Sequence, residues 1–549
     1  MLHREKMSPV DTAWLRMDRT TNLMMIVGVI VFDRRTDFKR LRNTVESRLV
    51  ERYRRFRQCA VAEVAGAWWQ DDPAFDLDFH LRRRSLPAQA GKHELQALAS
   101  ELAVQPLDPG KPLWCFDLIE EYGGGSAMVV RIHHCIADGI ALVGVILSLT
   151  DTSPQAAPQK RSAAKVHAAA EEPSGGMLEF LADTLGSAVS MGSELGSKAL
   201  QLASDPDRLS VYGRHGIGLL TELAKLLAMP ADSPTSLKGK TGMAKRVAWS
   251  ELIPLAEVKA LGKALGCSVN DILLSAVAGA LRAYFVQKGE SVRDVEVRAM
   301  IPVNLRSARH EGTLGNRFGL GTLLLPVHEG NPFARLFLVR QRMNELKGSY
   351  QPPLTLALLG AVGIAPKMLQ QQFLDILAAK ASTVMTNVPG PRQPLYLAGS
   401  RLDELMFWVP QSGDIGIGVS ILSYNDNVQF GLITDRNFVP DPETIAPLFA
   451  AEFEKMLLAL LMLDWEQPFD PARVEQQLFG KQLAPPLSAA GAKTKTPARP
   501  RKTAQAKPKA KPAAVVRPGK VATASAATPA AAPAAAAATR VPKRFRNLA

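Results

Sequence analysis

The sequence has 549 residues, of which 47% are hydrophobic and 21% are charged. This balance is ordinary for a globular protein, and the length is sufficient for two or more domains with their own cores. The four cysteines have the spacing of neither a zinc site nor a disulfide framework. The most apolar runs that we identify, 23–32 and 353–366, are too short to span a bilayer, and we find no secretion signal. We therefore expect a cytoplasmic protein with reduced cysteines.

The net charge of +14 comes from the end of the chain. Residues 481–549 contain 15 of the 66 Lys and Arg residues and no Asp or Glu, which leaves 51 basic and 52 acidic residues in 1–480. Ala, Pro and Lys dominate this segment without periodicity, so we predict a disordered basic tail. The charge therefore carries no information about what the folded body binds.

The first part of the chain alternates helical and strand patterns. Ser8 begins a predicted helix as its N-cap. The apolar run 23–32 fits a buried strand, and 115–120 and 127–134 fit two more. Three glycines at 123–125 indicate a hairpin between the last two strands. This order predicts a mixed domain of helices and strands.

The rest of the chain divides by composition and periodicity. We assign 1–150 to an N-terminal domain and 151–234 to a linker followed by a helical connecting segment. From 235 to 480 helical and strand patterns alternate again, with helices predicted at 255–266 and 269–286. The sequence therefore predicts two α/β (α+β) domains, with the tail outside both.

The most informative stretch is the predicted strand 128–134 and the turn after it. Because alternate residues of a strand share a face, His134 lies on a wholly apolar face and His133 points the other way. A histidine at the end of a buried strand can stay neutral and accept a proton near pH 7. Asp138 is placed to orient the turn, and Gly139 is expected to adopt backbone angles that a side chain would forbid.

Each of these residues also fits a purely structural role or a metal site. A lone histidine on an apolar face is usually a satisfied core residue, and an Asp-Gly pair is usually only a turn. Two adjacent histidines are also possible metal ligands, but neighbouring strand residues diverge and no third ligand lies nearby in sequence, so we predict no metal. Cys135 follows the histidines, and we expect a small buried apolar residue rather than a nucleophile.

The run from His133 to Gly139 matches the His-His-x-x-x-Asp-Gly motif of the coenzyme A-dependent acyltransferase superfamily, which includes condensation domains and chloramphenicol acetyltransferase. Further motifs follow in order: Pro-Leu-Trp at 112–114, Ser-Leu-Lys-Gly at 236–239, Lys-Arg-Val-Ala-Trp at 245–249, Val-Asn-Asp-Ile-Leu-Leu at 269–274, Pro-Val-Asn-Leu-Arg at 302–306, Gly-Asn-Arg-Phe-Gly at 315–319 and Asn-Val-Pro-Gly-Pro at 387–391. Together they resemble the bacterial wax ester synthase/acyl-CoA:diacylglycerol acyltransferase family over residues 7–475.

The resemblance implies two chloramphenicol acetyltransferase-like domains with a cleft or tunnel between them. It makes His134 the catalytic base and includes His133, Asp138 and Gly139 in the catalytic motif. It also places Asn270 beside the site, where its amide would donate to an oxyanion or to the bound acyl donor.

The remaining motif residues have structural alternatives. Asp271 has the spacing of a capping box, so we assign it a structural role. Trp114 is expected to pack in the core rather than contact the acyl chain. Arg306 either pairs with Asp138 across the two halves or lies in solvent. The small residues of 353–366 either line a lipid tunnel or allow close helix packing.

The resemblance implies direct transfer of a long-chain acyl group from acyl-CoA, as co-substrate, to diacylglycerol or a long-chain alcohol. No permanently bound cofactor is implied. The alternatives are a condensation-type enzyme that forms amides, and an inactive lipid-granule or nucleic-acid-binding protein that acts through its tail. We expect the enzyme on the inner membrane or on lipid inclusions. The tail at 481–549 favours an anionic lipid surface over nucleic acid, and a solubilising tail without a partner is the alternative.

Overall fold

The computed structural model describes residues 3–63, 66–155, 228–305, 314–364 and 377–462, with positions 222, 224–226, 375 and 476. All of these residues belong to one compact unit. Most of the predicted connecting segment, the predicted tail and Arg306 lie outside the described residues.

The helices and strands alternate along the described chain. The strands are β1 (Arg4–Lys6), β2 (Met25–Phe32), β3 (Gln58–Glu63), β4 (Gly66–Asp71), β5 (Leu81–Arg84), β6 (Trp114–Tyr122), β7 (Gly125–His133), β8 (Lys245–Trp249), β9 (Ile253–Pro254), β10 (Val297–Asn304), β11 (Phe318–Leu325), β12 (Thr383–Pro389), β13 (Tyr396–Leu397), β14 (Ser400–Trp408), β15 (Ile417–Tyr424) and β16 (Asn427–Asp435). The helices are α1 (Pro9–Arg16), α2 (Phe38–Val45), α3 (Leu77–His80), α4 (Lys92–Ala103), α5 (Gly139–Leu149), α6 (Leu255–Leu265), α7 (Val269–Gln287), α8 (Pro332–Lys347), α9 (Gln351–Ile364) and α10 (Pro442–Leu461). A π-helical turn (Glu46–Val50) and a 3₁₀ turn (Arg54–Arg57) follow α2.

Local sequence explains where the main elements begin. Ser8 caps α1, because its Oγ accepts from the Asp11 N–H at 3.1 Å. At the start of α7, the Asp271 N–H donates to Ser268 Oγ at 3.1 Å and the Ser268 N–H donates to Asp271 Oδ2 at 2.8 Å. This reciprocal pair is a capping box. The strands predicted at 23–32 and 127–134 are present as β2 and β7.

The strand β7 lies inside a six-stranded sheet with the order β13-β14-β2-β7-β6-β5. Every residue of β7 is buried. The strand β14 runs antiparallel to β2, with Trp408 opposite Val27. The first sheet is therefore not built from residues 1–150 alone, because 396–408 from the second half complete it. This pairing gives hydrogen-bond partners to an edge of β2 that would otherwise be unpaired.

The second sheet has the order β11-β10-β12-β15-β16-β8, with β9 beside β16. The helices α6, α7, α8 and α10 share its hydrophobic core. A third, small sheet has the order β1-β4-β3. These two large sheets with their helices confirm the predicted mixed α/β class.

The helix α7 is the described segment whose length and apolar composition would allow it to cross a membrane. It has 19 residues, and 72% of its apolar window is buried inside the protein. Our expectation that no apolar run reaches this length was wrong for 269–287. A helix that is buried on all sides in a protein core is also apolar all round, so the composition of α7 is only weak evidence for a membrane span.

The helix α9 covers most of the apolar run at 353–366. It packs against α1 and β11. A Cβ on Gly363 would overlap the carbonyl oxygen of Pro9, and one on Gly319 would overlap the carbonyl oxygen of Pro352. Close packing therefore explains these two glycines. Positions 365 and 366 lie outside the described residues.

Candidate active site

The two motif histidines lie at the end of β7, between the neighbouring strands β2 and β6. The His133 N–H donates to the Leu113 carbonyl at 2.9 Å, and the His134 N–H donates to the Met24 carbonyl at 2.7 Å. The backbone of the pair is thus fixed from both sides. His133 and His134 are 2% and 3% exposed, so both rings are inside the protein.

Two aromatic side chains contact the His134 ring. The Trp14 indole stacks on it with ring centroids 4.1 Å apart and an interplanar angle of 23°. Phe318 approaches with a centroid distance of 5.7 Å. Burial lowers the pKa of His134 to about 4, against the opposing effect of the Asp138 carboxylate. The ring is therefore neutral at pH 7 and has a lone pair available to accept a proton.

The His133 ring is held by contacts at both nitrogens. Its Nδ1 accepts the Cys135 N–H at 3.1 Å, and its Nε2 lies 3.2 Å from Asp18 Oδ2. Burial lowers the pKa of His133, whereas Cys135 and the Asp18 carboxylate raise it, with a net upward shift. The upward shift of the pKa favours a charged ring, whereas a proton on Nδ1 would oppose the Cys135 N–H, and this contact fits the neutral ring with its proton on Nε2. His133 therefore shapes the turn, and the role of His134 as the base stays a prediction.

Asp138 fixes the loop after the histidines. Its Oδ1 accepts the Ala141 N–H at 2.9 Å, which makes it the N-cap of α5, and its Oδ2 accepts the Arg317 N–H at 3.0 Å. The backbone partner Arg317 comes from the second half of the chain. Arg306 lies outside the described residues, so the choice between its pairing with Asp138 and a position in solvent stays open.

Gly139 does not have the conformation that the sequence suggested. It is the first residue of α5 and is not among the residues with positive φ. The prediction that Gly139 adopts backbone angles forbidden to a residue with a side chain was wrong. Asp138 caps the helix, and the chain enters the right-handed helical conformation directly at Gly139. A Cβ on Gly139 would meet no described atom within 4 Å. The small residue thus leaves space beside the catalytic loop.

Two profiles of known families match the chain. The profile described as the wax ester synthase/diacylglycerol acyltransferase catalytic domain matches residues 7–273, and the C-terminal domain of the same family matches residues 314–457. The chain belongs to this family. The resemblance inferred from the motifs is confirmed.

Named relatives and solved structures agree with the family. A protein named probable diacylglycerol O-acyltransferase, from Mycobacterium tuberculosis, is 30% identical over 383 residues, which cover 69% of this chain and 78% of that protein. A relative from Mycobacterium bovis, named for the same activity, is 30% identical over 412 residues, covering 71% and 77%. The wax ester synthase/diacylglycerol acyltransferase structure from Marinobacter aquaeolei VT8 has a TM-score of 0.59 at 20% identity, covering 83% of this chain and 100% of that chain.

A condensation domain shares the fold of this wax ester synthase/diacylglycerol acyltransferase family member. The first condensation domain of the calcium-dependent antibiotic synthetase has a TM-score of 0.50 at 13% identity, covering 83% of this chain and 95% of that chain. At this identity the match shows the fold alone. The architecture is thus shared more widely than the family.

The remaining predicted site residues divide into two groups. The Asn387 amide Nδ2 donates to Asn270 Oδ1 at 2.9 Å, so the structure joins Asn270 to a second motif whose role the sequence leaves open. Trp114 is buried, donates through Nε1 to the Phe56 carbonyl at 2.8 Å and stacks on His80. Asp271 is engaged in the capping box of α7. Trp114 and Asp271 thus support the fold, and the role of Asn270 in the chemistry stays a prediction.

Three residues of the site were missed by the sequence reasoning. Trp14 stacks on the His134 ring, and Asp18 faces His133. Asp11, in α1, accepts hydrogen bonds at Oδ1 from both the N–H and the Nδ2 of Asn316. Asn316 lies within the Gly-Asn-Arg-Phe-Gly motif, but nothing in its spacing indicates which residues it contacts.

Proposed function

We propose that this chain is an O-acyltransferase that transfers a long-chain acyl group from acyl-CoA to diacylglycerol or to a long-chain alcohol. The observation that carries the proposal is the His134 ring, which is neutral, buried and stacked on the Trp14 indole at the end of β7. Family membership and the named activity of the relatives support the choice of substrates.

The reaction needs one base. Nε2 of His134 accepts the proton of the acceptor hydroxyl while the oxygen attacks the thioester carbonyl. The tetrahedral intermediate then collapses: the carbon–sulfur bond breaks, the ester forms, and the proton passes from His134 to the leaving thiolate of coenzyme A. The Asp138 carboxylate stabilises the transient imidazolium, since it opposes the effect of burial on the pKa of His134.

The negative charge on the intermediate needs hydrogen-bond donors. Asn270 is the candidate, because its Oδ1 is occupied by Asn387 and its Nδ2 is the end left for a ligand. A preorganised donor of this kind contributes roughly 10²–10³ in kcat. Asn270 lies at the start of α7, where the helix dipole also favours a negative charge.

We propose direct transfer without a covalent acyl-enzyme. Cys135 carries the thiol next to the histidine pair, and its side chain is fully buried. Nδ1 of its neighbour His133 is occupied by the Cys135 backbone N–H, so His133 does not present that nitrogen to the thiol as a base. Two substrates held in one site gain most of the rate advantage from proximity.

An assay with two acceptors and one amine tests the proposal. Purified full-length protein with labelled palmitoyl-CoA should form labelled triacylglycerol from dioleoylglycerol, wax ester from hexadecanol, or both. A condensation-type enzyme would instead acylate the amine of an amino-acyl thioester, and an inactive protein would release no coenzyme A. Formation of amide in preference to ester would contradict the proposal.

We also propose that the enzyme works at the surface of the inner membrane or of lipid inclusions. The acceptors are lipids that reside there, and the basic segment 481–549 carries 15 positive and no negative side chains. Each basic residue near an anionic surface contributes about 1 kcal/mol, so a few engaged residues suffice for reversible attachment.

A further inference from the structure

Asn316 connects the second half of the chain to the catalytic loop. Its Nδ2 donates to the His134 carbonyl at 2.9 Å and to Asp11 Oδ1 at 2.8 Å, and its own N–H donates to the same Asp11 oxygen at 3.1 Å. The side chain is buried. A flipped amide would place its oxygen against the Asp11 carboxylate, so these bonds fix which end of the amide is the donor.

His134 and Asn316 each have one buried polar atom without a partner. Among the described residues, neither Nδ1 of His134 nor Oδ1 of Asn316 has a hydrogen bond. A neutral imidazole carries one proton and one lone pair, and a buried amide oxygen is an acceptor that normally finds a donor. The two unsatisfied atoms belong to two residues that are already joined by the hydrogen bond from the Asn316 amide to the His134 backbone carbonyl.

We propose that Asn316 is a positioning residue for the base: its Oδ1 accepts the Nδ1 proton of His134, which leaves Nε2 as the nitrogen that receives the proton of the acceptor hydroxyl. This inference rests on the proposed role of His134. The two atoms have no hydrogen bond in the described structure, and hydrogen bonds between catalytic groups are often long before substrate binds and tighten in the complex.

The electrostatics of His134 agree with this assignment. Burial lowers the pKa of His134, whereas the Asp138 carboxylate, the carbonyl of His134 itself and the Asn316 side chain oppose that effect. An acceptor for the Nδ1 proton stabilises the protonated ring and therefore raises its pKa. The His133 ring, in its protonated form only, lowers the pKa of His134. The rival acceptor for the Nδ1 proton is the carbonyl of His134, and the experiment must separate the two.

Asp11 and Arg55 hold Asn316 and the loop in register. Arg55 Nη1 donates to the Ile136 carbonyl at 3.0 Å and lies 3.4 Å from Asp11 Oδ2. The same acid thus binds the arginine that holds the catalytic loop and the asparagine that contacts His134. Asp11 is fully buried, and burial raises its pKa against the lowering effect of Arg55 and Asn316.

The direct test is the protonation state of the His134 ring in the full-length protein. Nitrogen NMR of protein labelled with ¹⁵N-histidine identifies the His134 signals as those lost in His134→Ala. In the unaltered protein, the neutral ring should carry its proton on Nδ1. In Asn316→Ala, the midpoint of the His134 titration should fall by about half a pH unit or more, because an acceptor for the charged ring is lost.

A paired exchange should give the opposite shift and keep a hydrogen bond between positions 11 and 316, although the donor to the His134 carbonyl is lost. Asp11→Asn with Asn316→Asp exchanges donor and acceptor between the two positions and leaves a carboxylate oxygen towards His134. The midpoint should then rise by about 1 pH unit or more. Ser8→Ala is the matched control, because Ser8 Oγ binds the Asp11 backbone and has no hydrogen bond to His134. It should change stability without moving the midpoint.

The pH at which kcat/KM falls on the acid side should follow the NMR midpoint of His134 in each variant. The kcat of Asn316→Ala should also fall about tenfold or more, since base catalysis as a whole contributes on the order of 10²–10⁴-fold. A proton on Nε2 in the unaltered protein would overturn the inference. So would an unchanged His134 midpoint in both Asn316→Ala and the paired exchange, which would assign the Nδ1 proton to the histidine carbonyl. Because NMR reads the ring without substrate, absence of acyl transfer would refute the proposed function and leave this result intact.

Discussion

The Trp14 indole lies face to face with the His134 imidazole at a centroid distance of 4.1 Å. This contact excludes water from one side of the ring and accounts for part of the burial that lowers the pKa of His134. The helix that carries Trp14 also carries Asp11, which binds Asn316. The short helix α1 thus contacts the His134 ring through Trp14. Through Asp11 it also contacts Asn316, which donates to the His134 carbonyl.

Removing the indole should raise the pKa of His134. In Trp14→Ala, water reaches the ring, and the midpoint of the acid limb of kcat/KM should move from about 4 towards the ordinary value of 6.5. The enzyme would then lose activity as the pH falls through a higher midpoint. Trp14→Phe keeps an aromatic face and should retain a low midpoint. An acid limb at the same pH in Trp14→Ala and the unaltered enzyme would contradict this origin of the shift.

The pair formed by Asn387 and Asn270 should act as a unit. Asn270→Ala should lower kcat by roughly 10²–10³ if its Nδ2 stabilises the oxyanion. Asn387→Ala should lower kcat less, because it only frees the Asn270 amide to rotate, and the double variant should be no worse than Asn270→Ala. Thr386→Ser, one position earlier on β12, serves as the control for the strand. Additive losses in the double variant would show that the two residues act separately.

Cys135→Ala should keep most of the activity. The hydrogen bond to His133 comes from the backbone N–H of Cys135, which the substitution does not remove. We expect no labelled acyl group on the enzyme when palmitoyl-CoA is supplied without an acceptor. Cys115→Ala removes another buried thiol and controls for the loss of packing. Acyl label that is present on the unaltered enzyme and absent from Cys135→Ala would establish a ping-pong scheme instead.

Deleting 482–549 should separate catalysis from membrane attachment. Activity on detergent-dispersed dioleoylglycerol should be unchanged, whereas sedimentation with anionic vesicles should weaken more than with neutral vesicles. The difference between full-length and shortened protein should fade with added salt, because the attraction is electrostatic. Equal sedimentation of the two proteins would exclude the tail as the attachment site. A preference of the full-length protein for duplex DNA over vesicles would favour the nucleic-acid alternative.

Much of the site could be predicted because its core is local in sequence. The alternation of β7 places His133 and His134 on opposite faces, and shortly after them Asp138 caps the next helix. Local patterns of this kind fix strand, turn and helix start together. Gly139 is the exception, since an Asp-Gly pair suggests a strained turn, whereas the carboxylate of Asp138 is enough to start the helix directly.

The contacts that arrange this local core are not local. Asp11 and Asn316 are 305 positions apart, and β14 reaches across the chain to pair with β2. No periodicity or motif spacing in the sequence indicates the Asp11–Asn316 contact or the pairing of β14 with β2, because each depends on how the two halves of the chain meet. From the sequence alone, Asp11 is equally consistent with an ordinary acidic residue in the first turn of α1. The partners of the motif therefore required the structure.

The central claim is tested most directly by single-turnover acyl transfer with His134→Ala. The substitution keeps the backbone N–H of residue 134, which donates to the Met24 carbonyl, so the fold should stay intact while labelled palmitoyl-CoA and dioleoylglycerol or hexadecanol yield about 10²–10⁴-fold less ester. His133→Ala, at the adjacent position, should lose less, since its ring contacts Asp18 and the loop rather than substrate. Circular dichroism and thermal unfolding verify that both variants are folded. Near-normal ester formation by a folded His134→Ala protein would contradict the account.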